Sequence, residues 1–345
     1  MTSLLAEVRE AGLTAGLDAV GVAKAEPFLD ARRHLHERKA AGLHGGMWFT
    51  YGNPERATDP EGLLEGARSL VVGARAYRRA APSPPSGPAG RVARYSWRDT
   101  YQPLRDALDV VARCLKGYGH RTLVLVDDNR LVDREAAVRA GLGWYGKNAN
   151  VLLEGHGSWF VLGSVVTDAA LPAALPVADG CGSCSRCLPA CPTGALIEPG
   201  VLDARRCLAH LLQAPGDFPI EFREALGDRL YGCDDCQDAC PPNRLEDRRA
   251  PAPPAGEDDE AWVPVLDLLD ATDDELIDRH GRWYIPRRQP RYLRRNALVV
   301  LGNTGDGRDP RVATTLRRAL ADPDPMLRSH AAWAAERLGR VDLLP

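Results

Sequence analysis

Eight of the nine cysteines in this 345-residue chain lie between residues 181 and 240, and their spacing constrains the fold more than any other feature. The stretch opens Cys181-Gly-Ser-Cys184-Ser-Arg-Cys187-Leu-Pro-Ala-Cys191-Pro192, a C-x2-C-x2-C-x3-C-P run. It closes Cys233-Asp-Asp-Cys236-Gln-Asp-Ala-Cys240-Pro241, with Cys207 between. The first run is that of bacterial ferredoxins, in which three thiolates hold one 4Fe–4S cubane and the fourth, before proline, crosses to a second. The second run is one cysteine short, and Cys207 can supply it. Crossing then assigns Cys181, Cys184, Cys187 and Cys240 to cluster one. Cluster two takes Cys207, Cys233, Cys236 and Cys191. A cubane wants four soft thiolates at tetrahedral corners. Two-residue spacers wrap the backbone around one face so that amide N–H groups can point at sulfur. Pro192 and Pro241 fix φ where the chain leaves the site. Two zinc sites would also use eight thiolates, commonly as paired C-x2-C units, which triplets followed by x3-C-P fit poorly. Disulfides fit less well, because no secretory signal precedes them.

The net charge of −3 gives no global signal for a polyanion partner, so charge must be read locally. No apolar run approaches the ~20 residues of a membrane span. A cytoplasmic protein with reduced thiols is expected, acting as a monomer and without a membrane partner. The length allows two or three domains. Residues 1–168 read as an α/β domain, with buried strands at 68–74, 122–126 and 159–166 and helices at 101–118 and 134–140. Residues 169–249 form the two-cluster, ferredoxin-like module. Residues 81–90 read as a loop, and the Pro-rich then acidic stretch 250–260 as a linker. Residues 262–345 read as a helical domain built like a HEAT repeat, with helices at 291–301, 311–320 and 326–338. Nucleotide-binding glycine loops are not present in the sequence.

Two clusters carry electrons but perform no chemistry on a substrate. The N-terminal domain offers the chemistry, at the end of strand 122–126. There Asp127 and Asp128 follow buried residues, where α/β proteins often place catalytic groups. Partial burial would raise a carboxyl pKa and let it deliver a proton. The plainer role is that one of the two caps the following turn. Arg94-Tyr-Ser-Trp-Arg-Asp-Thr-Tyr101 either lines a pocket or forms a solvated loop. The strongest local polyanion signal is Arg287, Arg288, Arg291, Arg294 and Arg295, five arginines within nine residues. On a helix Arg291, Arg294 and Arg295 share a face that suits phosphates, with Trp283 or Tyr292 available to stack on bases. The plainer role is pairing with the acidic 257–278 stretch.

Taken together, VLVD (124–127), AGLGWYGKN (140–148), the two cysteine runs, DARRC (203–207) and RRNALVVLGN (294–303) resemble the epoxyqueuosine reductase family over essentially the whole chain. The resemblance implies reduction of an epoxide on the wobble nucleoside of tRNA, using cobalamin in the N-terminal domain fed by two 4Fe–4S clusters. It implies an anticodon stem-loop as partner, held in part by the helical C-terminus, and a separate electron donor. Asp127 matches the family's proposed proton donor. Arg56, Tyr101, Lys147, Asn148, Cys233 and Asp234 are expected at the cobalamin. The family's Ser/Thr-small-Pro after the aspartate is here Asp128-Asn129-Arg130, and its G-x-D-Y-H is Arg98-Asp99-Thr100-Tyr101-Gln102. These departures keep open a different epoxide or halide substrate, or a non-catalytic electron carrier.

Overall fold

The structure is a computed structural model that describes residues 3–154 and 156–344. Its first sheet joins β1 (Ala19–Lys24), β2 (Ser69–Ala76), β4 (Thr122–Val126) and β7 (Phe160–Thr167) in the order β1-β2-β7-β4. Every pairing in it is antiparallel. Both faces are covered, which is why its strands read as continuous apolar runs. Val71, Val126 and Val165 face the helices Leu4–Thr14 and Tyr101–Gly117. Leu70, Val72, Leu125 and Val166 face Phe28 and the helix Asp133–Arg139 on the other side. Gly73 and Gly163 are register partners, and a Cβ on either would lie 3.0 or 2.6 Å from Leu108. The paired glycines therefore let the helix Tyr101–Gly117 settle close onto the sheet. Its N-terminus lies beside the end of β4, where an Arg105 Nη2–H donates to the Val126 carbonyl at 3.1 Å. Cys114 on this helix packs partly buried at the edge of the same core.

A second sheet links segments that the sequence reads as separate. β3 (Ala89–Val92) lies centrally, parallel to β10 (Arg229–Tyr231) and antiparallel to β11 (Trp262–Pro264). β3 begins inside the stretch expected to be a loop. The stretch 250–260 is not a free linker. Ala80 N–H donates to the Pro253 carbonyl at 2.8 Å, and the buried Asp259 carboxylate takes both arms of Arg98. One hydrophobic core runs through all three segments, from Val92 and Trp97 through Leu208, Phe218 and Tyr231 to Leu298, Leu316 and Ala331. The C-terminal helices Arg291–Thr304, Pro310–Leu320 and Pro325–Arg337 pack on one another. Two small hairpins complete the sheets: β5 (Gly143–Tyr145) with β6 (Val151–Leu153), and β8 (Leu196–Glu198) with β9 (Val201–Leu202). Among the described residues no helix is long and apolar enough to cross a membrane.

Candidate active site

The chain turns abruptly at the end of β4. Asp127 has φ +50°, a left-handed conformation that costs a non-glycine residue about 1–2 kcal/mol. Its neighbour performs the capping. The Asp128 carboxylate accepts from the backbone N–H of Arg130 at 2.9 Å and from the Arg130 guanidinium at 2.5–3.0 Å. That pairing holds the Asp128 pKa below its ordinary value. Among the described residues nothing hydrogen-bonds to the Asp127 carboxylate. Burial, and then the Asp128 charge, raises its pKa. Asp127 is nevertheless solvent-exposed. Its electrostatic neighbours come from several elements of the fold.

Tyr101 is half-buried, and its phenol is pushed well up, by burial first and then by Asp127, Tyr95, Asp133 and Tyr77. Tyr231 feels Tyr95 and Tyr101, and its ring lies 6.4 Å from that of Tyr95. Tyr77 feels Asp234, whose own carboxyl is pushed up to about 6, chiefly by burial. These groups come from the end of β4, the start of the helix Tyr101–Gly117, the turn after β3, and the loop Tyr231–Asp234, and the candidate hollow lies among them. The 94–101 stretch is a packed wall rather than a solvated loop, with Trp97, Ser96 and Thr100 buried. Asp234 is nearly buried and accepts from the Arg94 backbone N–H at 2.8 Å. The sequence singles out Arg94 only as part of the 94–101 stretch. Arg94 also reaches Asp238 at 2.8 Å and stacks over Trp159 at 4.6 Å, so it pins the cluster loop to the wall. Arg56 is exposed on the short helix Pro54–Ala57, within electrostatic reach of Asp128. That helix joins the aspartate loop through the Val132 N–H to Ala57 carbonyl bond at 2.9 Å.

The eight cysteines fall into two groups. Cys240 is pushed up to about 11 by burial, and then by Cys181, Cys187 and Cys184. Cys236 is raised by burial, and then by Cys233, Cys207, Asp234 and Cys191. Thiols held this close and this poorly solvated exist together as thiolates only beside a compensating cation. Donors point at sulfur, as a cluster requires. At Cys191 burial opposes ionisation, but hydrogen bonds from Thr193 and Ala195 outweigh it, and the pKa falls.

Lys147 and Asn148 hydrogen-bond to these loops. The Lys147 ammonium donates to the Gly182 carbonyl at 2.7 Å, between Cys181 and Cys184. The Asn148 amide reaches the Cys236 carbonyl at 3.4 Å. Their polar ends lie on the cysteine loops.

The arginine cluster divides. Arg295 is fully buried and donates to the carbonyls of Leu211, Leu212, Ala214 and Gly216. It cannot meet a phosphate, which corrects its expected role. Trp283 and Tyr292 are buried as well and cannot stack on a base. Arg294 pairs with Asp273, inside the acidic stretch, and Arg291 pairs with Asp324 at 3.2 Å. Arg287 and Arg288 are exposed, both at φ +52°, beside the 65 % exposed Tyr284. The Tyr284 N–H donates to the Tyr231 hydroxyl at 2.7 Å, which sets this rim against the hollow.

A family model for a 4Fe-4S double cluster binding domain matches residues 180–243 and decides against zinc. The epoxyqueuosine reductase of Bacillus anthracis is 34% identical over 94% of this chain and 87% of its own length. That of Xanthomonas campestris pv. campestris is 34% identical over 98% and 97%. The chain belongs to the epoxyqueuosine reductase family. Among solved structures, an epoxyqueuosine reductase with an epoxyqueuosine-modified tRNA-Tyr stem loop matches at TM-score 0.88 and 34% identity, over 97% of this chain and 90% of that one. The Bacillus subtilis epoxyqueuosine reductase matches at TM-score 0.87 and 32% identity, over 97% and 90%; its catalytic aspartate loop is swung out of the active site.

Proposed function

We propose that this protein is an oxidoreductase that reduces the epoxide of epoxyqueuosine at the tRNA wobble position to queuosine. The observation that carries the reading is the whole-chain match to epoxyqueuosine reductases, including one solved with the modified stem loop. Asp127 adds the chemistry. An unpaired carboxyl with a raised pKa, on the wall of an open hollow, can hold a proton for a departing oxygen. Asp128 cannot, because Arg130 occupies it.

The electrons come through the cysteine module. Cys181, Cys184, Cys187 and Cys240 would hold one 4Fe–4S cluster, and Cys191, Cys207, Cys233 and Cys236 the other. Cys233 lies two residues after Tyr231, so the second cluster would border the candidate hollow. Cobalamin held there would supply low-potential reducing chemistry for opening the epoxide. The residues fit such a guest. Tyr77, Tyr95, Tyr101 and Tyr231 are neutral phenols whose pKa values burial raises further, so they offer uncharged aromatic surface to such a guest. His280 is nearly buried, stacked on Trp283 at 4.4 Å, and its Nδ1 lies 3.2 Å from Glu260.

The anticodon stem-loop approaches across Tyr284, Arg287 and Arg288, with the C-terminal helices, in the HEAT-like reading, as support. Replacing Arg287 and Arg288 with alanine is expected to weaken tRNA binding uniformly across tRNA sequences. The log Kd against log salt slope should fall by roughly one per lost phosphate contact. Filter binding at several salt concentrations measures this, and an unchanged slope places the phosphates elsewhere. The crossed wiring predicts that Cys207→Ser loses only the second cluster. Iron content should drop from about eight to about four atoms per chain. In a bacterium deleted for its own epoxyqueuosine reductase, this gene should restore queuosine to tRNA. Persistence of epoxyqueuosine, with the protein expressed and loaded, would refute the substrate.

A further inference from the structure

The sequence element 140–148 is only partly explained by the clamps at Lys147 and Asn148. Trp144, on β5, is 9% exposed, and its Nε1–H is shut off from solvent with no hydrogen-bond partner among the described residues. An indole N–H can only donate. Native interiors rarely leave such a donor unmet, so an orphan points to an acceptor that is not a protein group. The surroundings say which acceptor. The ring packs with Leu152 and Cys240, against Val177 and Cys181. A Cβ added to Gly180 would lie 2.5 Å from Cζ2 and 2.9 Å from Cε2, the ring carbon bonded to Nε1. Only glycine at 180 lets that edge of the indole press against the backbone leading into Cys181.

We propose that Trp144 donates its indole N–H to a sulfur of the first 4Fe–4S cluster, at Cys181 or Cys240, and thereby sets that cluster's potential. This rests on the reading of the eight cysteines as two clusters. An added electron places negative charge on the cluster sulfurs, so a donor aimed at one of them is strengthened in the reduced state and raises the potential. The Lys147 ammonium on the Gly182 carbonyl acts in the same direction. The second cluster receives different partners, Asn148 on the Cys236 carbonyl and Thr193 and Ala195 on the Cys191 sulfur. One short hairpin arm thus gives the two cubanes unequal surroundings and separates their potentials.

The test uses the full chain with both clusters loaded. In Trp144→Phe, which keeps the apolar shield and removes the N–H, a potentiometric titration followed by electron paramagnetic resonance should show one midpoint moved to more negative potential and the other unmoved. Unmoved midpoints, or equal shifts in both, would overturn the assignment. A second measurement needs no variant. Wild-type protein carrying 15N in its tryptophan indoles should show a 15N hyperfine coupling to a reduced cluster in pulsed resonance spectra, and its absence overturns the inference. Iron analysis separates the two levels. Protein that binds no clusters defeats the cluster reading, whereas two clusters without the 15N coupling defeat only the role of Trp144.

Discussion

Arg295→Ala is expected to destabilise the protein by roughly 3–5 kcal/mol while leaving the phosphate-facing rim intact. The guanidinium is fully buried, and burial pulls its pKa down only to about 10, so it is charged at neutral pH. It donates to Ala214 at 2.8 Å, Gly216 at 2.6 Å, Leu211 at 3.1 Å and Leu212 at 3.2 Å, and to the Asn296 side chain at 2.8–3.0 Å. Truncation takes the recorded donor from the Ala214 and Gly216 carbonyls, while Leu212 keeps the Asn296 amide and Leu211 the Ala214 N–H. The helix they terminate, Leu208–Gln213, starts at Cys207, so the loss reaches the second cluster. Arg295→Lys should lose most of the same stability, because an ammonium lacks the planar fork that spans these acceptors. Urea midpoints and iron content report the effect. An unchanged midpoint with weakened tRNA binding would instead make Arg295 an RNA contact.

Asp127→Asn should lower turnover by about 10²–10⁴-fold, the usual contribution of a positioned general acid. Cluster content and tRNA affinity should stay at wild-type values, since the carboxylate makes no structural hydrogen bond. The proton-bearing form is the active one, so wild-type turnover should fall as pH rises through the raised Asp127 pKa. Asp128→Asn removes a negative charge that helps raise it. Its alkaline limb should therefore move to lower pH. Single-turnover conversion of modified tRNA across a pH series measures both. Full activity in Asp127→Asn removes this residue as the acid.

The site was legible wherever its chemistry is local in sequence. The cysteine spacings express backbone wrapping over a few residues, and the double-cluster domain matched at 180–243 spans all eight of these cysteines. The Asp127 turn follows a five-residue apolar strand whose bounds the sequence marks. The arginines were harder to read because helical spacing says which residues share a face, not which face is covered. Arg291, Arg294 and Arg295 do adjoin one another, but the carbonyls at the end of Leu208–Gln213 claim Arg295 from a distance of about eighty residues in the chain. Likewise β3, β10 and β11 are three or four residues each, paired across more than 130 positions. Strands this short have no periodicity to detect, and tertiary pairing alone makes them strands. Trp144 stood inside a recognised run of residues, yet its orphan N–H is visible only once Gly180 and Cys181 are brought against it.

The central claim is best tested by nucleoside mass spectrometry of epoxyqueuosine-containing tRNA. The tRNA is incubated anaerobically with the cluster-loaded protein, cobalamin and a strong reductant. Conversion to queuosine that requires both cobalamin and the protein is the predicted result. Unchanged epoxyqueuosine, with both clusters present and cobalamin bound, would contradict it and show that the electron-delivering machinery serves a different substrate.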